Sequence, residues 1–513
     1  MHKTYHKQLL LLIVISTLVR LFLAAIFELN NDEVYYRLYA MYPDWSHFDH
    51  PPMVGWMIWL TTFGMTWTSE LAFRLSAVCL GAVNIWLIFQ IATAIKNERT
   101  GWIAALLYVS SIYAFIISGT FILPDAPQSF FWNCSILVFV KAFKDSYNRK
   151  QQGNYLLMAG VGVGLAFLSK YTALFIWLGV LFYILFYNRS YLKRWALWIS
   201  AFLTIVCLFP VLWWNFHNDF LSFGFHVDRI DSFISFRPDY IGVELAGEFL
   251  YTNPVVFLLA IIAVVNFIFG KHDFIKRSWG RFLLCITLPF IGLFWLIACF
   301  RSTLPHWVCP AFITLIPLSA AWVDEKCKHF LFFSRWNTIA LAVLVLGLSI
   351  ACVQIKTGLL FSDEHPDGIE LGKNDFSLDM YGWRQCGDYF AHIQKAAENA
   401  NEMPEGAPIF SFRWFPAANL DYYVAKPNGT YVLALGDLSL IHKFKWINEE
   451  RGGFYLGMDA WYLSSSFDFK DPHELFGSYF KEITAPQVIK IYRCNKHVLN
   501  FYVYQLHNMI MLP

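Results

Sequence analysis

The chain has 513 residues, 57% of them hydrophobic, 19% aromatic and only 15% charged, against about 25% charged residues in an ordinary soluble domain. A formal net charge of +2 and a mean hydropathy of +0.45 exclude a nucleic-acid-binding chain and leave lipid as the solvent for most of it. The 10 cysteines form no CxxC pair and no metal-ligand spacing, and most lie in or beside apolar runs as small core residues.

In chain order, Lys3 and Lys7 precede the apolar run Leu9 to Phe27. Arg20 interrupts that run and no A-x-A-like site closes it, so it reads as an uncleaved first span. A crossing helix needs about 20 mainly apolar residues. Eleven stretches qualify: 8–27, 71–95, 101–119, 126–142, 155–170, 171–187, 195–214, 251–270, 282–299, 306–322 and 337–355. With the N-terminus in the cytoplasm, eighteen Lys and Arg fall on that side, among them Lys271 and Lys328. The opposite-side loops and their borders hold only Arg37, Lys170, Arg229, Arg237 and Arg301. The positive-inside rule therefore predicts that orientation and puts residues 356–513 outside.

Residues 356–513 change character. Turn-rich segments appear (DEHPDG, 363–368; NEMPEGAP, 401–408) and no span-length apolar run remains. Strand-like runs at Pro408 to Phe412, Thr430 to Leu435, Gln487 to Arg493 and Leu499 to Leu506 alternate with helix-like ones at Trp383 to Ala400 and Ala417 to Val424. The expected architecture is a polytopic α-helical membrane protein: a transmembrane domain, 1–355, with a catalytic first outer loop, 28–70, and a soluble periplasmic α/β domain, 356–513. Cys386 and Cys494 share that oxidising side, where a disulfide between them is open.

Polar residues at membrane borders are costly, and here they gather on one side. Asn30-Asn31-Asp32-Glu33 follows the first span, then an aromatic-rich segment, then His47-Phe48-Asp49-His50-Pro51-Pro52. Asp32 and Glu33 adjoin the membrane surface, where a carboxylate can be tuned as a general base, although an acidic pair also suits a helix N-terminus. Asp125, in Leu123-Pro124-Asp125-Ala126-Pro127, has the form of an N-cap. Lys170 closes a Gly-rich helix end, where a snorkelling lysine is the ordinary explanation. Arg301 and His306, in Arg301-Ser302-Thr303-Leu304-Pro305-His306-Trp307, open a span with groups suited to a phosphate. Two acids that can activate a hydroxyl, several cations for a phosphate, and apolar grooves for a lipid tail fall on one membrane face. Nucleotide-cradling and nucleophile-elbow motifs are absent from the sequence.

Five ordered segments carry a resemblance: Asp32-Glu33, His50-Pro51-Pro52, Pro124-Asp125-Ala126-Pro127, Gly164-Leu165-Ala166-Phe167-Leu168-Ser169-Lys170 and Leu304-Pro305-His306-Trp307-x-x-Pro310. Over about 1–355 the chain resembles the superfamily of protein O-mannosyltransferases and lipid A aminoarabinose transferases. The resemblance implies a type-C glycosyltransferase fold, a polyprenyl-phosphate sugar donor (undecaprenyl phosphate in a bacterium) and an inverting displacement at the anomeric carbon. The acceptor would be a lipid, glycan or protein hydroxyl. Asp32 would be the base, with Glu33 and Asp125 shaping the acceptor or metal side of the cavity. Lys170, Arg301 and His306 would hold the leaving phosphate. The aminoarabinose transferases carry a Lys where this chain has His50, which leaves the acceptor open. A divalent metal is compatible with acids near a phosphate, and no dedicated cage points to one.

A transporter or flippase of lipid-linked sugars is the alternative. Transporters place polar residues near the midplane and commonly show inverted repeats; here the charges cluster at one border and no repeat is visible. A membrane-anchored binding protein would leave the elaborate first loop without a purpose.

Overall fold

A computed structural model describes residues 2–228, 235–270, 273–327, 334–360 and 368–513. Arg229, Lys271, Lys328 and nearly all of the DEHPDG turn lie outside the described residues. The chain divides into two compact units: Met1–Ile26 with Tyr39–Leu346, and Phe27–Leu38 with Gly347–Pro513. The strip Phe27–Leu38, which carries Asp32 and Glu33, is thus counted with the C-terminal residues.

The first unit is a bundle of helices, and all eleven predicted stretches fall on helical segments. Among the described residues, five helices are long and apolar enough to cross a membrane, or up to seven if each of two bent pairs is one span. Leu10, Leu11, Phe22, Phe202 and Ile205 are all more than half exposed. Such an apolar surface is stable in lipid but not in water.

Without a hydrophobic force between helices in lipid, close approach and interhelical hydrogen bonds hold the bundle. Helices Arg149–Phe167 and Trp195–Cys207 meet at Gly160 and Gly164, where an added Cβ would lie 2.1 Å from the Ser200 carbonyl oxygen and 2.5 Å from the Cys207 Cβ. Asn133 donates to Asn84 at 2.9 Å, and the Trp132 indole to Thr314 at 2.8 Å. Arg20, which the sequence shows only as an interruption of the first span, is fully buried. Its guanidinium donates to the Ala114 carbonyl at 3.2 Å and lies 4.6 Å from the Phe115 ring centroid. It thereby braces a π-helical turn, Tyr113–Ile117, in the middle of the stretch predicted over 101–119.

The second unit is α/β. Six strands form one mixed sheet: β1 (Ile409–Ser411), β2 (Val432–Ala434), β3 (Ala460–Ser465), β4 (Phe480–Ile483), β5 (Gln487–Arg493) and β6 (Lys496–Met509). β1 lies parallel to both β2 and β3, while β3, β4 and β5 all pair antiparallel with β6. Phe410, Leu433, Tyr462, Phe476 and Leu506 fill the core on one face of the sheet. The open disulfide is not formed. Cys386 is a buried free thiol on helix Trp383–Asn399, and Cys494 is an exposed one at the β5–β6 turn.

Strip Phe27–Leu38 is tied into this unit by polar contacts. The Leu29 N–H donates to the Tyr423 hydroxyl at 2.6 Å and Asn419 to the Asn31 side chain at 2.7 Å. Glu28 accepts from the Trp383 N–H at 3.1 Å. Arg37, 1% exposed, pairs with the buried Asp421, whose other oxygen takes Arg451 at 2.7 Å.

Candidate active site

In the membrane unit, Asp125 opens helix Asp125–Ala142 immediately after Pro124. Its carboxylate is not spent on the helix end; it receives both hydrogen bonds of Lys170, at 3.0 and 2.9 Å, with each residue at least nine-tenths buried. Lys170 therefore does not snorkel. It follows helix Arg149–Phe167 and leads into the turn Tyr171–Ala173, facing Asp125. His306, on the turn Pro305–Val308, lies within electrostatic reach of both. Arg301 is half-buried just after helix Arg277–Ala298. The half-buried His50 belongs to the same neighbourhood, because three residues on the Met53 N–H donates to the Leu168 carbonyl at 3.1 Å. Met53, Leu168 and Val211 seal that junction as a small apolar cluster.

Three residues of this unit were not singled out from sequence. The Tyr113 hydroxyl donates to Asp125 at 3.0 Å from the π-helical turn, a feature common at functional sites. Glu244 and Glu248, a turn apart on helix Pro238–Thr252, are both buried. Glu244 accepts from the Thr303 hydroxyl at 2.7 Å and Glu248 from the Trp295 indole at 3.0 Å. Their i,i+4 spacing in an apolar context was the available signal. Tyr113→Phe leaves Asp125 with one donor fewer, and losing a hydrogen bond to a buried charge costs about 1.5–3 kcal/mol. We expect its thermal midpoint in detergent to fall measurably below that of the wild type.

In the C-terminal unit, Asp32 and Glu33 stand in the first turn of helix Asn31–Met41. Glu33 is fully buried; it accepts from the Asn30 N–H at 3.2 Å while its own N–H donates to Asn30 Oδ1 at 3.0 Å. That reciprocal cap fixes the helix end. Asp32, beside it, is exposed. A third acid, Asp379, on the turn Phe376–Met380, accepts the Asn31 N–H. Burial, together with the negative charges of Asp32 and Glu33, pushes the Asp379 carboxyl up to about 7, with the Asn31 N–H acting in the opposite sense. Nothing in the sequence around Asp379 marks it. Among the described residues, no group of three or more His, Cys, Asp or Glu could hold a metal ion.

Residues 49–214, the stretch carrying His50, Asp125 and Lys170, match the dolichyl-phosphate-mannose-protein mannosyltransferase family. The chain is 25% identical over 288 residues to the lipid A galacturonosyltransferase RgtD of Rhizobium johnstonii, a match spanning 55% of this chain and 58% of that protein. ArnT from Cupriavidus metallidurans, solved with bound undecaprenyl phosphate, superposes with a TM-score of 0.61 at 14% identity over 96% of this chain and 97% of that one. Its apo form gives 0.60 at 13% identity over 97% and 98%. The fold is thus the type-C glycosyltransferase fold, a multi-pass membrane domain with a C-terminal α/β unit. In residues 49–214 and in fold, the chain is thus similar to type-C glycosyltransferases.

Proposed function

We propose that the protein transfers a sugar from a polyprenyl (undecaprenyl) phosphate carrier to a hydroxyl of a lipid, glycan or protein acceptor. It does so at the outer face of a bacterial inner membrane, with the N-terminus cytoplasmic and the C-terminal unit periplasmic. The observation that carries this reading is the buried Asp125–Lys170 pair with His306 close by. A charged pair built into an apolar bundle is expensive unless it serves a charged ligand, and a phosphate leaving group is such a ligand. That ArnT shares the fold and was solved with undecaprenyl phosphate supports the carrier. The names of the relatives bracket the acceptor between lipid A and protein.

In this reading Asp32 takes the acceptor proton as the oxygen attacks the anomeric carbon. The bond from that carbon to the phosphate oxygen breaks on the opposite face, which inverts the centre. Charge then develops on the departing polyprenyl phosphate, and Lys170, Arg301 and His306 offset it, with Asp125 holding Lys170 in place. Glu33 fixes the helix that presents Asp32, and His50 borders the acceptor.

The test is transfer of radiolabel by the purified full-length protein from polyprenyl-phosphate mannose, galacturonic acid or aminoarabinose into membrane extracts. Label is expected in a lipid or protein fraction from at least one donor. If none is transferred and lipid-linked sugar instead crosses proteoliposomes, the protein is a transporter.

A further inference from the structure

The Asp379 carboxylate reaches the start of helix Asn31–Met41 from a distant part of the sequence. One of its oxygens takes the Asn31 N–H, the other is buried and has no hydrogen-bond partner, and Asp32 and Glu33 are the charges that act on it most strongly. Consecutive Cα atoms are about 3.8 Å apart, so an acid bound to the Asn31 N–H sits against the backbone that carries Asp32. Turn Phe376–Met380 is itself held firmly. Asp375 caps it through the Ser377 N–H at 3.1 Å and pairs with the buried Arg493, and the Asp379 carbonyl accepts from the Trp383 indole at 3.3 Å.

The other charges of the neighbourhood are engaged elsewhere. Glu33 is committed to the Asn30 cap, Glu28 to the N-terminus of helix Trp383–Asn399, and Arg493 to Asp375. A buried carboxylate with an empty oxygen is costly and calls for an explanation.

We propose that Asp379 is a positioning residue for Asp32, the two carboxylates forming an electrostatic dyad in which the charge of Asp379 makes Asp32 the stronger base. This rests on Asp32 being the base. In the step, the acceptor O–H bond breaks and its proton passes to Asp32. The oxygen's electron pair forms the bond to the anomeric carbon, and the electrons of the carbon–phosphate-oxygen bond leave with the polyprenyl phosphate. The proton then passes from Asp32 to water. Two adjacent carboxylates bind one proton more tightly than either would alone, so an ionised Asp379 makes Asp32 the stronger base.

The ionised form of Asp379 predominates only above about pH 7, where its carboxyl titrates. Transfer by the wild type should therefore rise as pH passes through that value.

The experiment is kcat and KM from pH 5.5 to 8.5 for full-length wild type, Asp32→Asn, Asp379→Asn and Asp379→Glu. Asp379→Asn keeps an acceptor for the Asn31 N–H. It is expected to lose the inflection near pH 7, to fall about tenfold in kcat at pH 8 and much less at pH 6, and to keep KM within about twofold. Asp379→Glu, which restores the charge, is expected to recover an inflection; this variant decides the matter if the Asn form does not fold. An unchanged inflection in Asp379→Asn, or a pH-independent loss in kcat and KM together, overturns the dyad. Full activity of Asp32→Asn would remove the base itself. An inactive Asp32→Asn beside an Asp379→Asn that matches wild type removes only the dyad.

Discussion

Asp32→Asn is expected to give a folded protein whose transfer rate is lower by roughly 100-fold or more, the usual contribution of a positioned general base. Asparagine matches aspartate in shape and differs in being unable to take the acceptor's proton. The substitution should spare the fold because the helix end rests on its neighbours. Glu33 and Asn30 close the cap reciprocally, and Asp379 takes the Asn31 N–H. Asp32 is the exposed member of the group. The control is Glu33→Gln, since glutamine serves a capping box as well as glutamate does. It should retain most of the activity. A Glu33→Gln protein as inactive as Asp32→Asn would exchange the two assignments. The comparison is read as single-turnover transfer at saturating donor, with unfolding midpoints matched.

The second large effect concerns stability. Asp421→Asn strands Arg37 and Arg451 without their shared carboxylate, and breaking a buried ion pair from one side costs about 3–5 kcal/mol. Burial alone would raise the Asp421 pKa, but the two guanidinium groups outweigh it and hold the carboxyl below the usual range. The sign of the pH dependence follows. A carboxyl depressed in the folded state contributes its full stabilisation above the unfolded value of about 3.9, and loses it as pH falls through the folded value. Native-state proteolysis of the full-length protein should show the C-terminal unit of Asp421→Asn opening far more readily than wild type at pH 7. The gap should narrow only below about pH 3.9, as pH falls through the depressed folded value. A wild-type-like proteolysis rate at pH 7 would mean that Arg37 finds a substitute partner.

Much of this was legible in the sequence where the signal was local. Every apolar stretch lies on a helix because lipid leaves the backbone no other partner than itself. In the C-terminal unit, β5 was read with its full bounds because it alternates cleanly between buried and exposed positions. β3 escaped because almost every residue in Ala460–Ser465 is buried, so no period of two survives. The candidate site was legible as residue types, but not as pairs. That Lys170 grips Asp125 depends on helix packing at Gly162, where an added Cβ would lie 2.6 Å from the Ser135 hydroxyl oxygen on the Asp125 helix, and no local pattern reports it. Arg37 looked like a stray positive charge in an outer loop, and only the fold shows that it answers Asp421. Asp379 was invisible for the same reason, its partners lying hundreds of residues upstream.

The grouping of Phe27–Leu38 with Gly347–Pro513 has a consequence in time. Helix Asn31–Met41 is among the first segments to leave the ribosome, while Asp379 and Asp421, which complete its surroundings, are synthesised hundreds of residues later. The sheet behind Asp421 must also wait for β6, onto which β3, β4 and β5 register. At synthesis rates of about 5–20 residues per second, Arg37 waits on the order of tens of seconds for Asp421 to be made. In the proposed mechanism a chain interrupted before β6 lacks a finished setting for Asp32, so incomplete copies would be inert rather than unregulated.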